Sequence, residues 1–154
     1  MSFQEQFTVR WSDLDANRHV RNTIFSEFAT HTRFRFLESS GFPQATFEAL
    51  RFGPIMFRED IRYRRELVFG EVVSVTVEAA GLSDDGSHWR VQQEVRKANG
   101  KQAALLVIDG AWIHLDTRRL VAPPAELAEV LRGLTRTEGY EALKSVVRGA
   151  GGAV

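Results

Sequence analysis

Residues 12–22, SDLDANRHVRN, gather two aspartates, two asparagines and a histidine in one short run, and no other stretch collects as many reactive side chains. Asp15, Asn17 and His19 alternate, so an extended backbone would project them on one side and let them share a site. Asp13 has the same parity and would join them unless the chain bends. A carboxylate so placed can act as general base on water or attack a carbonyl directly. A thioester carbonyl, to which sulfur donates poorly, is electrophilic enough for one well-placed Asp to act on it without a full Ser-His-Asp triad. The oxyanion needs no side chain either. The run leads into a helix whose first N–H groups, around Asn22 to Phe25, are unpaired and carry partial positive charge. Asp15 and Asn17 equally suit holding a tight loop by side-chain to backbone bonds, and Asn22 suits a plain helix cap.

The elements that must position this run can be read on either side of it. Phe7, Val9 and Trp11 alternate with Thr8 and Arg10, which predicts a first strand ending near Trp11. From Thr23 the period changes: Ile24, Phe25, Phe28, Ala29, Thr32, Phe36 and Leu37 form a helical stripe of about five turns, with Asn22 or Thr23 as cap and Gly41 and Pro43 as stop. Phe34 lies off that stripe and suits either core packing or a second subunit. After a less regular connection, Phe42 to Phe52, strands follow to about Leu115. Ile55, Phe57, Ile61 and Tyr63 alternate with polar residues, as do Val73 to Ala79 and Trp89 to Val95. Asp84-Asp85-Gly86 and Asn99-Gly100 punctuate them, the latter predicting a type I′ hairpin turn with both central residues at positive φ. The last strand, Ala103 to Leu115, is apolar on both faces, with Gly110 marking a bulge. Helices are expected over Ala125 to Leu134 and Glu138 to Val147, and a mobile tail over 149–154. Strand, long helix, then antiparallel strands is an α+β pattern in which a sheet wraps one helix.

Composition narrows the function. The chain has 154 residues, 44% of them apolar, which is enough for one core and one domain, placed at 1–148. Lys+Arg and Asp+Glu are both 20, so no net field would draw it to nucleic acid or an anionic membrane. There is no cysteine, hence no disulfide, thiolate metal site or cysteine nucleophile. No apolar run approaches the ~20 residues of a membrane span and the start lacks a signal-peptide pattern, so the expected location is the cytoplasm.

The string SDLDANRHVRNTIFSEFATHTRF resembles the first motif of the hotdog-fold thioesterase superfamily, D-x-D-x-x-x-H-V-x-N followed by a central helix, and the later strands extend the likeness over roughly residues 5 to 116. Two branches contribute. The 4-hydroxybenzoyl-CoA thioesterase branch places its catalytic Asp at the position of Asp15 and polarises the carbonyl with the backbone N–H near Asn22. The fatty acyl-ACP thioesterases share the Asp-x-Asn-x-His arrangement of Asp15, Asn17 and His19. The resemblance implies Asp15 as base or nucleophile, Asn17 orienting it or the substrate, and His19 positioning water or donating a proton. It further implies substrate contacts from Asn22, Thr23, Phe25 and Phe28, an acyl-CoA or acyl-ACP substrate of fatty acid metabolism, no cofactor or metal, and a homodimer or homotetramer with sites at the subunit interface. Two positions depart from the pattern. Arg18 stands where many members have Gly, and Thr30 where many have a helical Glu.

Other candidates carry less. His31, His88 and His114 share no short metal-ligand spacing. GLSDDG matches the serine-hydrolase elbow only loosely and falls in an expected hairpin. Arg58, Arg62 and Arg64 would share a strand face and, with Arg65, could meet coenzyme A phosphates or simply be solvated. A hotdog hydratase and a non-catalytic acyl-thioester-binding module are the rival readings.

Overall fold

The computed structural model describes residues 2–147. The expected tail at 149–154 lies outside the described residues. In chain order the elements are β1 (Phe3–Thr8), α1 (Asn22–Ser39), α2 (Gln44–Leu50), β2 (Phe52–Tyr63), β3 (Val72–Ser83), β4 (Trp89–Lys97), β5 (Gln102–His114), α3 (Ala125–Arg132) and β6 (Arg136–Leu143). The strands form one sheet in the order β1-β3-β4-β5-β2, antiparallel at every step. Helix α1 lies in its concave face, as the α+β reading requires. Its apolar stripe carries Ile24, Phe25, Phe28, Ala29 and Leu37 into a core shared with Val73, Val75 and Val77 of β3 and Leu106 and Ile108 of β5. Each fully buried aliphatic side chain contributes about 1.5–3 kcal/mol, so this stripe fixes the helix on the sheet. Phe7 of β1 stacks on Phe28 at 4.5 Å and closes one flank.

Several expectations need correction. The first strand stops at Thr8, and Trp11–Asp13 wind into a single 3-10 turn. Neither Asn22 nor Thr23 caps α1: Arg21 takes the cap position, without a side-chain bond to the helix end. The connection Phe42 to Phe52 contains the short helix α2. The turn at Asn99-Gly100 is not type I′. Gly100 is left-handed (φ +83°) but Asn99 is not, and Lys97 O accepts from the Gly100 N–H (2.9 Å) while the Lys97 N–H donates to Lys101 O (2.9 Å). That is a type I turn closed by a left-handed residue. The bulge expected at Gly110 lies opposite it, between Met56 and Arg58 on β2. Gly110 is required for another reason: a Cβ there would sit 2.1 Å from the Trp89 ring.

The helix expected over Glu138 to Val147 is instead β6. β1 pairs with β3 only from Val72 to Val77, leaving the edge beyond it open, and β6 fills that edge in parallel from Ala79 to Ser83. An unpaired edge outweighs a weak helical pattern. The segment after β6 is tied back to the β3–β4 turn through Asp85, whose carboxylate accepts from the hydroxyls of Ser83 (2.8 Å), Ser87 (2.7 Å) and Ser145 (2.5 Å). Burial pushes this carboxyl up, but the bonds from Ser145, Ser87 and Ser83 outweigh it and leave it at about 2.

Candidate active site

The polar run between β1 and α1 is folded into a tight double-ended loop. Asp13 points inward and is fully buried. It accepts the Arg10 N–H (2.8 Å) and pairs with the Arg10 guanidinium (2.8 Å). Burial pushes its carboxyl up, yet the Arg10 hydrogen bonds and the charges of Arg10 and Arg21 prevail and hold it below its ordinary value. Its carbonyl accepts the Arg21 N–H (3.0 Å), while Arg21 Nη1 reaches Ser12 O (2.6 Å). Asp13 therefore anchors the loop and is unavailable for chemistry.

Beyond it, Leu14 and Val20 bridge antiparallel, and residues 15–19 turn between them. The Asp15 N–H donates to His19 O (2.9 Å) and the Arg18 N–H to Asp15 O (3.1 Å). The Asn17 N–H donates to the Asp15 carboxylate (2.8 Å), an Asx turn. This is the same bond pattern as the Lys97–Lys101 turn, with Arg18 (φ +67°) in the left-handed position that Gly100 fills there. The loop is not extended, so Asp15, Asn17 and His19 do not share a side by alternation. Asp15 and His19 meet because they stand at the two ends of one turn, with Nδ1 of His19 3.9 Å from Oδ2 of Asp15. Asn17 is left at the exposed tip, away from the cleft that Asp15 and His19 line.

That cleft encloses about 350 Å³ between the loop, the start of α1 and the chain leaving β2. Asp15, His19, Asn22 and Phe25 line it with Tyr63, Arg64, Arg65 and Glu66. His19 Nε2 lies 3.5 Å from Glu66, and the Val20 N–H donates to Leu67 O (2.8 Å), docking the loop onto this segment. The helix opens at its floor. With no side-chain cap, the Asn22 and Thr23 N–H groups remain available to a developing oxyanion, while the Ile24 N–H donates to Arg21 O (3.1 Å). Of the expected substrate contacts, Asn22 and Phe25 line this cleft and Phe25 packs edge-on to Tyr63 at 5.4 Å. Thr23 lines the adjoining groove, and Phe28 is buried against Phe7, away from both. The arginine set divides: Arg58 and Arg62 flank Asp60 (3.6 and 3.7 Å) on the other face of β2, whereas Arg64 and Arg65 reach the cleft.

The adjoining groove runs along α1 from Asn22 past Ser26 and Thr30 to Phe34, facing Glu59, Ile61 and Tyr63 of β2. Glu59 accepts the Ser26 hydroxyl (2.8 and 3.0 Å), which puts a carboxylate beside the helix although position 30 is Thr. Its neighbour Asp60, an acid of the same kind one residue on, faces the other way. The signal that separates them is the bulge at Phe57, which sets Glu59, Ile61 and Tyr63 opposite the core-facing Ile108, Leu106 and Ala104.

A sheet wrapped round one long helix is the hotdog fold. The chain belongs to the thioesterase-like superfamily, whose family model matches residues 9–131. Among solved structures it is similar to YbaW, a probable thioesterase from Escherichia coli, at 26% identity over 87% of this chain and 99% of the other, with a TM-score of 0.72. It is similar in fold to a 1,4-dihydroxy-2-naphthoyl-CoA thioesterase from Synechocystis (15% identity, 87% and 98% covered, TM-score 0.78). A third likeness is to the protein SAV2348 from Staphylococcus aureus, solved in complex with CoA (22% identity, 89% and 88% covered, TM-score 0.79). No curated protein matches the chain in sequence.

Proposed function

We propose that this protein hydrolyses an acyl-CoA to the free acid and coenzyme A, with Asp15 as general base or nucleophile. The observation that carries this reading is the meeting of Asp15 and His19 in one cleft, over the uncapped first turn of α1. In the general-base form, Asp15 takes a proton from water as its oxygen bonds to the carbonyl carbon. The carbonyl oxygen gains charge against the helix N–H groups, and the C–S bond then breaks, with the thiolate taking up the proton. His19 sits where it can hold the water. Arg64 and Arg65, at the same cleft, suit the phosphates of coenzyme A. Asn17 acts through its backbone, holding the Asp15 carboxylate in place.

The reading includes a pair of chains. Among the described residues β2 ends the sheet, and its twelve residues present a free edge flanked by the exposed Met56, Phe57 and Tyr63, with Phe34 of α1 nearby. A long unpaired edge with exposed aromatics beside it is completed by a second strand, and a second copy would supply one. β5, apolar on both faces, is an interior strand of the sheet, between β4 and β2.

Thiol release from short, medium, long and aromatic acyl-CoAs, with acyl carrier protein thioesters alongside, tests the activity. Turnover by the wild type that falls at least about a hundredfold in folded Asp15→Asn fits loss of the base or nucleophile. Equal rates in the two proteins would remove Asp15 from the mechanism.

A further inference from the structure

Beyond Phe34 the groove along α1 opens into a second space of about 230 Å³, enclosed by α1, the start of β2, the sheet and α3. The two share Thr30 and Phe34. The walls are apolar, chiefly Leu37, Ile55, Trp89, Trp112 and Leu131, with one charged exception. Arg33 enters this space from the central helix.

The surroundings of Arg33 are unusual for a guanidinium. Its Nη1 donates to the Gln93 side-chain carbonyl (2.8 Å) and its Nη2 to the Thr30 hydroxyl (3.2 Å) and toward Met56 Sδ (3.9 Å), all neutral acceptors. Among the described residues no carboxylate comes within ion-pair distance. Burial pushes the guanidinium down from its ordinary value, and the charge of Glu59, itself bound to Ser26, offsets this only through space. Gln93 is fully buried and its amide donates to Ala29 O (3.0 Å), so its carbonyl is aimed at Arg33 and fixes the direction of the fork. A half-buried cation held in place against apolar walls, with donors to spare, is a fixed binding point for an acceptor.

Resting on the thioesterase reading, we infer that the acyl group of the substrate runs along α1 from the Asp15 cleft and ends in an oxygen acceptor bound by Arg33. The length follows from the helix. Side chains lean toward the N-terminus, so the guanidinium stands near the level of Thr30, eight residues from Asn22, or about 12 Å at 1.5 Å per residue. An extended chain gains about 1.2 Å per bond, so roughly ten bonds span the distance. The substrate class is a medium-length acyl chain with a carboxylate or hydroxyl at its far end. A short acyl group or a single aromatic ring does not reach.

The test compares decanoyl-CoA with sebacyl-CoA and 10-hydroxydecanoyl-CoA, by thiol release from the wild type and by calorimetric binding to Asp15→Asn. One charge-assisted bond predicts that an oxygen-ended ester exceeds decanoyl-CoA by about tenfold to a hundredfold in kcat/KM and in affinity. The carboxylate and hydroxyl arms show which oxygen the site takes. In Arg33→Met the ratio falls to near one, and in Arg33→Lys it is partly kept, whereas a purely structural Arg33 would lower all three substrates together. Preference in binding without hydrolysis by the wild type would refute the hydrolase and keep the pocket. Equal or lower binding of both oxygen-ended esters would overturn the inference.

Discussion

Arg18 occupies a backbone position that its side chain disfavours, and the cost can be worked from the molecule itself. Two turns share one bond pattern: residues 15–19 with Arg18 at φ +67°, and residues 97–101 with Gly100 at φ +83°. A non-glycine residue in the left-handed region costs about 1–2 kcal/mol. Replacing it by glycine restores that amount but frees the unfolded chain, which costs about 0.4–1 kcal/mol. Arg18 is exposed and donates no side-chain hydrogen bond among the described residues, so little else is lost. Arg18→Gly should therefore stabilise the fold by about 0.5–1 kcal/mol, a rise of roughly 1–4 °C in Tm for a chain of this size. Differential scanning calorimetry reads the shift, with Arg18→Ala separating backbone from side chain. Ala keeps the left-handed cost and should leave Tm nearly unchanged, and the mirror substitution Gly100→Arg should lower it by a similar amount. A fall in Tm for Arg18→Gly, or an equal rise for Arg18→Ala, would refute the strain argument and show that the Arg18 side chain has a role of its own.

Asp85 makes stability depend on acid. Its carboxyl, at about 2, lies below its ordinary value, so it favours folding above pH ~4 and that contribution is lost as pH falls toward about 2. Asp85→Asn should melt lower than wild type at neutral pH, with the gap closing between pH ~4 and ~2; a constant gap would exclude the carboxylate. The β2 edge predicts a dimer at low micromolar concentration by sedimentation, shifted toward monomer by Phe57→Lys, whereas a monomeric wild type would refute it.

Period and turn chemistry made most of the fold legible, because α1 and β3 to β5 bury one face each and their apolar spacing records it. What escaped was set by pairing between distant segments. Glu138 to Leu143 has no strong local preference and became a strand because β1 left part of β3 uncovered. The candidate site was legible as a list of residues but not as a geometry. Alternation along a strand is not what brings Asp15 and His19 together: they meet across a turn, which leaves Asn17 at its tip with its N–H on the Asp15 carboxylate.

Glu59 shows the limit most clearly. In sequence it and Asp60 are interchangeable acids, and nothing local says which faces the helix. One extra residue at Phe57 shifts the register of β2 against β5, and every side chain beyond it changes face. The bulge thereby turns Glu59 to Ser26 and sends Asp60 outward to Arg58 and Arg62. The same shift sets Ile61 and Tyr63 along the groove that joins the Asp15 cleft to Arg33. Were Phe57 paired in regular register, Asp60 would stand opposite Leu106 in place of Ile61 and Glu59 would turn outward, so the path for an acyl chain depends on a backbone irregularity that residue types alone do not encode.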